Sequence, residues 1–416
     1  MFQLIQGKDM ESFIERWAEA AYTSVGFFWM ALWAFVLGYL ISSLIQVLVT
    51  RQRMRKSMGS NDLKSVSLGS FFGFISSSCS FAALATTRAL FNKGAAFSAS
   101  MAFLLASTNL VIELGFVIAI FLGWQFVVGE YVGGILLILF AWLFITVTNP
   151  AKLIKSARNE ESDDDNQSSD SSLADLLKLH TWHQVAMKFV MEWQMVWKDI
   201  LIGFTVAGII SAFVPSSFFE WLFLGVGGSS ELSFWAVLQQ AVVGPIAALF
   251  TFIGSMGNIP LAAVLFGEGV AFAGVMAFIF SDLVVLPVLR INAGYYGWKM
   301  SLYIALMLFV CLVASAMVMH YGLLSLDLLP NLENWDSPKE QQHFSFNYGF
   351  VLNIVFLLIS AVLVKLWIAH KNSHQHDHGH HHHDHGGRSL SDRIMLTLSA
   401  VSVIWLIGGL LIYWLG

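Results

Sequence analysis

Nine histidines fall within one short stretch, His370, His374, His376, His378, His380, His381, His382, His383 and His385, with Asp377 and Asp384 among them. Neutral imidazole is a good ligand for zinc, copper, nickel and cobalt, so the run reads as a collector of transition-metal ions. Its spacing is irregular, whereas a structural zinc site holds four ligands tightly, so the expectation is a loose basin of several overlapping sites. The bland alternative is a solvated, functionally neutral loop. An engineered tag is a poor account, because the run is followed by another apolar stretch from Ile394 to Leu415.

A second set of reactive side chains lies inside apolar sequence. Cys79 is embedded in Ser76-Ser77-Ser78-Cys79-Ser80, where the Ser78 and Ser80 hydroxyls can satisfy backbone groups freed by a helix break. Backbone N–H groups at such a break favour a thiolate, a ligand for arsenite-type species, copper(I) or zinc. The alternative is a small buried cysteine packing as a hydrophobe, which is how Cys311 reads. Asn109 and Glu113 are four apart, hence on one helical face. A carboxylate in an apolar segment is costly unless paired or hydrated and usually faces a pathway, so Glu113 is a candidate to bind a cation or carry a proton. Asn258 and Asp282 are the comparable groups further along, with Pro260 and Pro287 interrupting helical hydrogen bonding nearby. Ion pairs of Glu113 or Asp282 with Arg88 or Arg290 are the structural alternative. Glu130, Glu231 and Glu268 fall near segment ends and call for no special role.

The elements that must position these residues are set by composition. Of 416 residues, 57% are hydrophobic and 12% charged, with 15 Trp and 35 Phe, a load of apolar surface that lipid alone can hide. The expected fold is an all-α polytopic protein of the bacterial inner (plasma) membrane. Its first apolar stretch, about Tyr22 to Val49, lacks a cleavage pattern and reads as a retained span. The two cysteines lie in separate apolar regions, which argues against a disulfide scaffold. Ten embedded segments can be placed, at about 21–49, 66–88, 96–122, 128–148, 198–215, 232–254, 268–290, 299–320, 346–369 and 393–415. The second holds the serine cluster, and the sixth leads into Gly254-Ser255-Met256-Gly257-Asn258-Ile259-Pro260. Backbone groups left unpaired there must be satisfied by protein or a cavity, so both segments are expected to be interrupted.

The two interrupted segments belong to an internal repeat. Residues 90–103 lie on 265–278 without a gap, and eight of fourteen positions are identical, among them Gly94 with Gly269 and Met101 with Met276. Paired interrupted segments in two halves point to a transport site near mid-membrane. The organisation expected is residues 1–154 as a first membrane repeat, 155–197 as acidic linker and interfacial helix, 198–322 as a second repeat, and 323–416 as two further spans around the His-rich loop 370–385. The linker carries Glu160-Glu161-Ser162-Asp163-Asp164-Asp165 and reads as solvated chain. Trp182, Phe189, Trp193 and Trp197 suggest a helix at headgroup level, with His180 and His183 on its aqueous side. Placing the basic clusters Arg51–Lys56, Lys152–Arg158 and Arg290–Lys299 all in the cytoplasm requires segments two and six to enter and return on one side. Eight full spans then remain, the halves are inverted, and the His-rich loop is cytoplasmic; ten full crossings is the competing count.

Ser78-Cys79-Ser80 followed by Ala82-Ala83-Leu84-Ala85, and its counterpart Gly257-Asn258-Ile259-Pro260-Leu261-Ala262-Ala263, resemble the predicted-permease superfamily that includes arsenical permeases. The whole-chain layout with a late His-rich loop is similar to its ten-segment heavy-metal exporter branch. The resemblance covers roughly 66–148 and 232–415 and implies efflux of a toxic metal or metalloid, with Cys79 at the family's cysteine in the first broken segment. Relatives often carry a second thiol there, where this chain has serines, and Asn258 stands in the other half.

No Gly-rich Lys-Ser/Thr phosphate loop and no His-Glu-x-x-His pair is present, so the chain is not expected to be an enzyme or to hydrolyse ATP. The leading expectation is gradient-driven export of a zinc-like or other divalent transition metal. Efflux of trivalent arsenic or antimony species, or of organoarsenicals, is the alternative, and a membrane metal-sensing protein is another. No cofactor is required beyond the transported ion. The partners expected are that metal or metalloid ion and the lipid bilayer, with no nucleic acid and with homo-oligomerisation left open.

Overall fold

The computed structural model describes residues 2–48, 62–76, 80–92, 94–158, 179–226, 232–249, 255–332, 335, 344, 346, 348–374 and 390–415. Every regular element among them is helical, as the absence of water from a bilayer core demands of an open chain. In order they are α1 (Phe2–Leu48), α2 (Leu63–Ser76), α3 (Ser80–Asn92), α4 (Phe97–Asn109), α5 (Ile112–Phe121), α6 (Trp124–Thr148), α7 (Ala151–Arg158), α8 (Leu179–Phe213), α9 (Ser216–Leu222), α10 (Phe234–Leu249), α11 (Ser255–Gly267), α12 (Phe272–Ile279, continued by the 3-10 turn Phe280–Leu283), α13 (Leu286–Tyr296), α14 (Trp298–Ser325), α15 (Tyr348–His374) and α16 (Leu390–Leu415).

Six of these, α1, α6, α8, α14, α15 and α16, contain an apolar stretch long enough to cross a bilayer. The pairs α4–α5 and α12–α13 also qualify if each counts as one span bent by 43° and 42°, which gives up to eight. α2, α10 and α11 are apolar but too short to cross alone. Ten separate crossings are therefore not seen among the described residues. α2 ends at Ser76 and α3 begins at Ser80, the residues between them lying outside the described residues, while Ser255–Pro260, expected to be interrupted, is helix at the start of α11. Segments 96–122 and 268–290, expected to be continuous, are each broken. The aromatic stretch expected as a separate interfacial helix is instead the first half of α8.

The internal repeat is visible in the backbone. At the offset that lays residue 90 on residue 265, α3 and α11 coincide at both ends. The turns that follow them are alike bond for bond. Gly94 and Gly269 take positive φ of 99° and 92°, which a side chain would strain. Gly94 N–H donates to the Phe91 carbonyl and Ala95 N–H to that of Leu90; Gly269 donates to Phe266 and Val270 to Leu265. The next helices cross alike. A Cβ on Gly69 of α2 would strike the Ala99 carbonyl oxygen of α4, and one on its counterpart Gly244 of α10 would strike that of Gly274 in α12.

α4 and α12 are the buried axes of the two halves, with every residue of both out of contact with surroundings. A helix apolar on all sides is stable only when packed on all sides. The halves meet along α1 with α8 and along α6 with α14. α15 and α16 lie outside this body, held to α1 and α8. Asn353 of α15 spans a turn of α1, accepting from Trp33 N–H at 2.9 Å and donating to the Trp29 carbonyl at 2.7 Å. The Trp17 indole donates to the Trp405 carbonyl at 3.0 Å. Their other faces present apolar side chains such as Val351, Leu358, Ile404 and Leu411 outward, as lipid-facing helices must.

Candidate functional site

The break between α4 and α5 is flanked by side chains that bond to the backbone. In the last turn of α4 the Ser107 and Thr108 hydroxyls donate to the Leu104 carbonyl at 2.9 and 3.1 Å, and the Asn109 amide donates to that of Leu105 at 3.1 Å. The Ala106 carbonyl accepts from Leu110 N–H at 3.1 Å, which closes the helix. Val111 then turns extended, with φ −78° and ψ 142°, and α5 begins. Tyr131 of α6 donates its hydroxyl at 3.2 Å to the Val111 carbonyl, which also accepts from Gly115 N–H at 3.4 Å. Glu113 thereby falls in the first turn of α5, where the partial positive charge of the helix N-terminus favours a carboxylate. It is 4% exposed and lies against α1, at a point where only Gly38 leaves room for the α5 backbone. Asn109 faces α6 at Gly134.

The second half breaks at the matching place by different means. α12 tightens into the 3-10 turn that carries Asp282, which is 1% exposed. Val285 is extended, and α13 starts with Pro287 in its first positions, where the missing N–H costs nothing.

Glu130 of α6 is the residue that sequence reasoning passed over. It is 0% exposed, and neither carboxyl oxygen has a hydrogen-bond partner among the described residues. α6 packs here against α12 and the 3-10 turn that carries Asp282. Gly129 and Gly133 make this approach possible: added Cβ atoms would run into Phe272 and Met276 of α12 and into Phe280 of the 3-10 turn. The available signal was that Glu130 is the one charged residue in the whole of α6, with glycines on both sides.

Asn258 sits in α11, where Gly203 of α8 and Gly257 bring two backbones together. It is 0% exposed, and both its Nδ2 and its Oδ1 lack a partner among the described residues. Pro260 supplies no N–H to the Met256 carbonyl one turn back, which adds a backbone acceptor to the same stretch. α11 packs on α8 and α12 and also touches α5 and the 3-10 turn, the elements that carry Glu113 and Asp282.

The structure thus places Asn109 and Glu113 at the first helix break and Asp282 at the second, with Glu130 on α6 and Asn258 on α11. Ser78 and Cys79 lie outside the described residues, and Ser80 begins α3. His370 and His374 are in the last two turns of α15, while His376, His378, His380, His381, His382, His383, His385, Asp377 and Asp384 lie outside the described residues. Among the described residues no group of three or more His, Cys, Asp or Glu side chains is arranged to hold a metal ion. Arg88, expected as an alternative ion-pair partner, donates to the Ala157 carbonyl at 2.9 Å and lies over the Tyr296 ring. Cys311 is buried on α14.

Comparison with known proteins places this geometry. The family model ArsP_1, described as a predicted permease, matches residues 16–321. That stretch holds both halves and both breaks and stops within α14. A protein of Mycobacterium tuberculosis (strain ATCC 25618 / H37Rv), named "Putative permease Rv2963", is 35% identical over 333 residues, 77% of this chain and 80% of the relative. No solved structure matches.

Proposed function

We propose, from the premise that this chain belongs to the predicted permease family, that it exports a divalent transition-metal ion of zinc-like character from the cytoplasm, driven by an ion gradient. Membrane transport follows from the family. The observation that supports a cation as cargo is the set of buried carboxylates at the two helix breaks, Glu113 from the first half and Asp282 from the second. Buried negative charge at membrane depth is tolerated where a cation or proton visits it. Asn258 and Asn109 add neutral donors and acceptors, and the His-rich stretch would raise the local ion concentration at the inner mouth. In the topology that fits this role, α2–α3 and α10–α11 enter and return, the bent pairs cross once, and the protein lies in the bacterial inner membrane with its halves inverted.

Efflux of a trivalent arsenic or antimony species is the second reading, supported by the amide and hydroxyl groups that outnumber acids around the breaks, which suit a neutral hydroxylated solute. Uptake into inverted membrane vesicles, measured across zinc, cobalt, nickel, copper(I), arsenite and antimonite with and without an imposed pH gradient, tests both. Uptake of the divalent ions that falls at least about tenfold in Glu113→Gln supports the first reading, since the substitution removes charge at nearly constant volume. Uptake of arsenite alone, indifferent to Glu113, supports the second. A flat panel with folded protein sinks the exporter reading altogether.

A further inference from the structure

One corner of the molecule gathers positive charge away from the helix breaks. α6 ends at Thr148 and α14 begins at Trp298, and both helices are long and apolar enough to cross a bilayer. Their ends meet, because the Thr148 and Tyr303 hydroxyls share a hydrogen bond of 2.6 Å. Lys299 lies one turn before Tyr303 on the same face of α14, and so points toward the end of α6. There Asn149 takes a left-handed φ of 39° and turns the chain into α7. α7 packs on both α13 and α14. Leu153, Ile154 and Ala157 form its inward side, while Lys152, Lys155 and Ser156 are exposed on the other. A helix that is apolar on one side and basic on the other suits a membrane surface at headgroup depth.

Two arginines fix α7 in this place. Arg88 of α3 donates to the Ala157 carbonyl at 2.9 Å, and its guanidinium lies 5.0 Å from the centre of the Tyr296 ring on α13. Arg158 donates to the Ala95 carbonyl at 2.8 Å and lies 4.7 Å from the centre of the Phe91 ring. The Phe91 and Tyr296 rings meet edge to face at 5.7 Å, which joins the two halves beside α7. A planar guanidinium can bond a carbonyl and cover a ring at once, whereas a lysine ammonium is a point charge on a flexible stem. The arginines are thus spent on the fold, and Lys152, Lys155 and Lys299 project from it as exposed charges. Arg88, Lys152, Lys155, Arg158, Arg290 and Lys299 are all the Lys, Arg, Asp and Glu of α3, α7, α13 and α14, so no acid on these helices offsets them. Trp298, next to Lys299, is 66% exposed, the placement of a tryptophan at the headgroup layer. Orienting spans in a membrane asks only for basic residues in a loop. It does not ask for a loop helix locked by two arginines against both halves.

We propose that this corner binds the headgroup of an anionic phospholipid, its phosphate held by Lys152 and Lys155 of α7 and by Lys299 of α14, with Trp298 beside it. The charge is complementary, and the bilayer brings such a phosphate to the depth at which α6 ends and α14 begins. The inference is independent of the cargo. A headgroup held here bridges α7, which continues the first half, and α14, which belongs to the second. Its binding therefore opposes separation of the halves at this surface and stabilises the folded protein by mass action.

Titrating full-length protein in detergent with phosphatidylglycerol or phosphatidylcholine tests this, with bound lipid read by native mass spectrometry and the unfolding temperature read alongside. Wild type should prefer phosphatidylglycerol, unfold at a higher temperature in its presence, and lose the preference as salt screens the lysines. Lys152→Gln/Lys155→Gln should weaken the apparent affinity for phosphatidylglycerol at least about tenfold, and Lys299→Gln about fivefold, the scale expected for a lysine at an anionic surface. Lys152→Arg/Lys155→Arg keeps the charge and should keep the binding. Lys365→Gln/Arg393→Gln removes the same charge from exposed positions on α15 and α16 and should leave the affinity unchanged. Wild type without a preference for phosphatidylglycerol overturns the proposal, and so does a loss in the α15 and α16 variant equal to that in the α7 variant. Displacement of the lipid by an equal concentration of inorganic phosphate would make free phosphate the ligand and overturn it too. A preference that emerges only after deletion of 160–165 would show the acidic stretch of this chain to be the occupant in place of lipid. Should Lys152→Gln/Lys155→Gln fail to fold, Lys299→Gln carries the test, and unchanged affinity there overturns the site.

Discussion

Three buried amides in this chain show how a polar side chain earns its place in a membrane protein. Gln240 is fully buried, and its amide donates to the Leu224 carbonyl at 2.7 Å and accepts from Ala271 N–H at 2.6 Å, which tethers the start of α12. Asn353 is equally satisfied on α1. Asn258 is as buried as Gln240 and is satisfied at neither atom among the described residues. Leaving a buried polar group unmatched costs on the order of 1–3 kcal/mol, whereas an apolar side chain of the same shape costs little. The two positions therefore respond to leucine with opposite signs. Gln240→Leu should lower the unfolding free energy by roughly 1–3 kcal/mol, because it strands the Ala271 N–H and the Leu224 carbonyl. Asn258→Leu should leave thermal unfolding in detergent unchanged or raise it, while vesicle transport falls. A loss of stability in Asn258→Leu equal to that in Gln240→Leu would mean that Asn258 holds the fold and does not meet cargo.

At the scale of elements, the two halves are held in shape by close crossings that have no room for a side chain. Gly69 against the Ala99 carbonyl and Gly244 against that of Gly274 are the same crossing made twice. Each obstruction is backbone, which cannot move aside, so a larger residue must push two helices apart at a cost of roughly 1–3 kcal/mol or more. Gly69→Val and Gly244→Val should reduce folded, membrane-inserted protein to a similar degree, read as the monodisperse fraction by size exclusion. Strong loss at one position with none at the other would show that the halves are alike in backbone and unlike in energetic role. The same crossings explain what could be read in advance. Residues 77–79 lie outside the described residues, and Ser255–Pro260, where glycine and proline suggested an interruption, is helix at the start of α11. The α12–α13 break was half legible through Pro287. The α4–α5 break was not, since Asn109-Leu110-Val111 contains no breaker, and the Tyr131 hydroxyl that bonds the Val111 carbonyl comes from twenty residues on. Glu130 escaped for a related reason. Its position along α6 reads as a segment end, and its burial depends on Gly129 and Gly133 admitting α12 and the 3-10 turn from the other half.

For the molecule as a whole, the reach of the family match separates two functions. Residues 16–321 span α1 to α14, while α15 and α16 lie beyond it and pack on α1 and α8 from outside. The acids and amides at the breaks belong to the first set, and the nine clustered histidines lie in the second. If transport resides between the halves, the His-rich stretch acts only by raising the ion concentration near the entrance, an electrostatic and mass-action effect. Deleting 376–385 removes polar residues alone and leaves α15 to its last residue, His374. The expected result is an apparent affinity for zinc weakened by about threefold to tenfold, with the maximal rate and the amount of inserted protein unchanged, since no more than about 1.4 kcal/mol of binding separates the two forms. Vesicle uptake against zinc concentration reads both quantities at once. A lowered maximal rate at unchanged affinity would place those histidines in the transport step itself and would contradict a collecting role. The pH response follows the same division: histidine ligands compete with protons as pH falls toward 6, so the deletion should matter most near neutrality and vanish in acid, where imidazolium no longer binds metal.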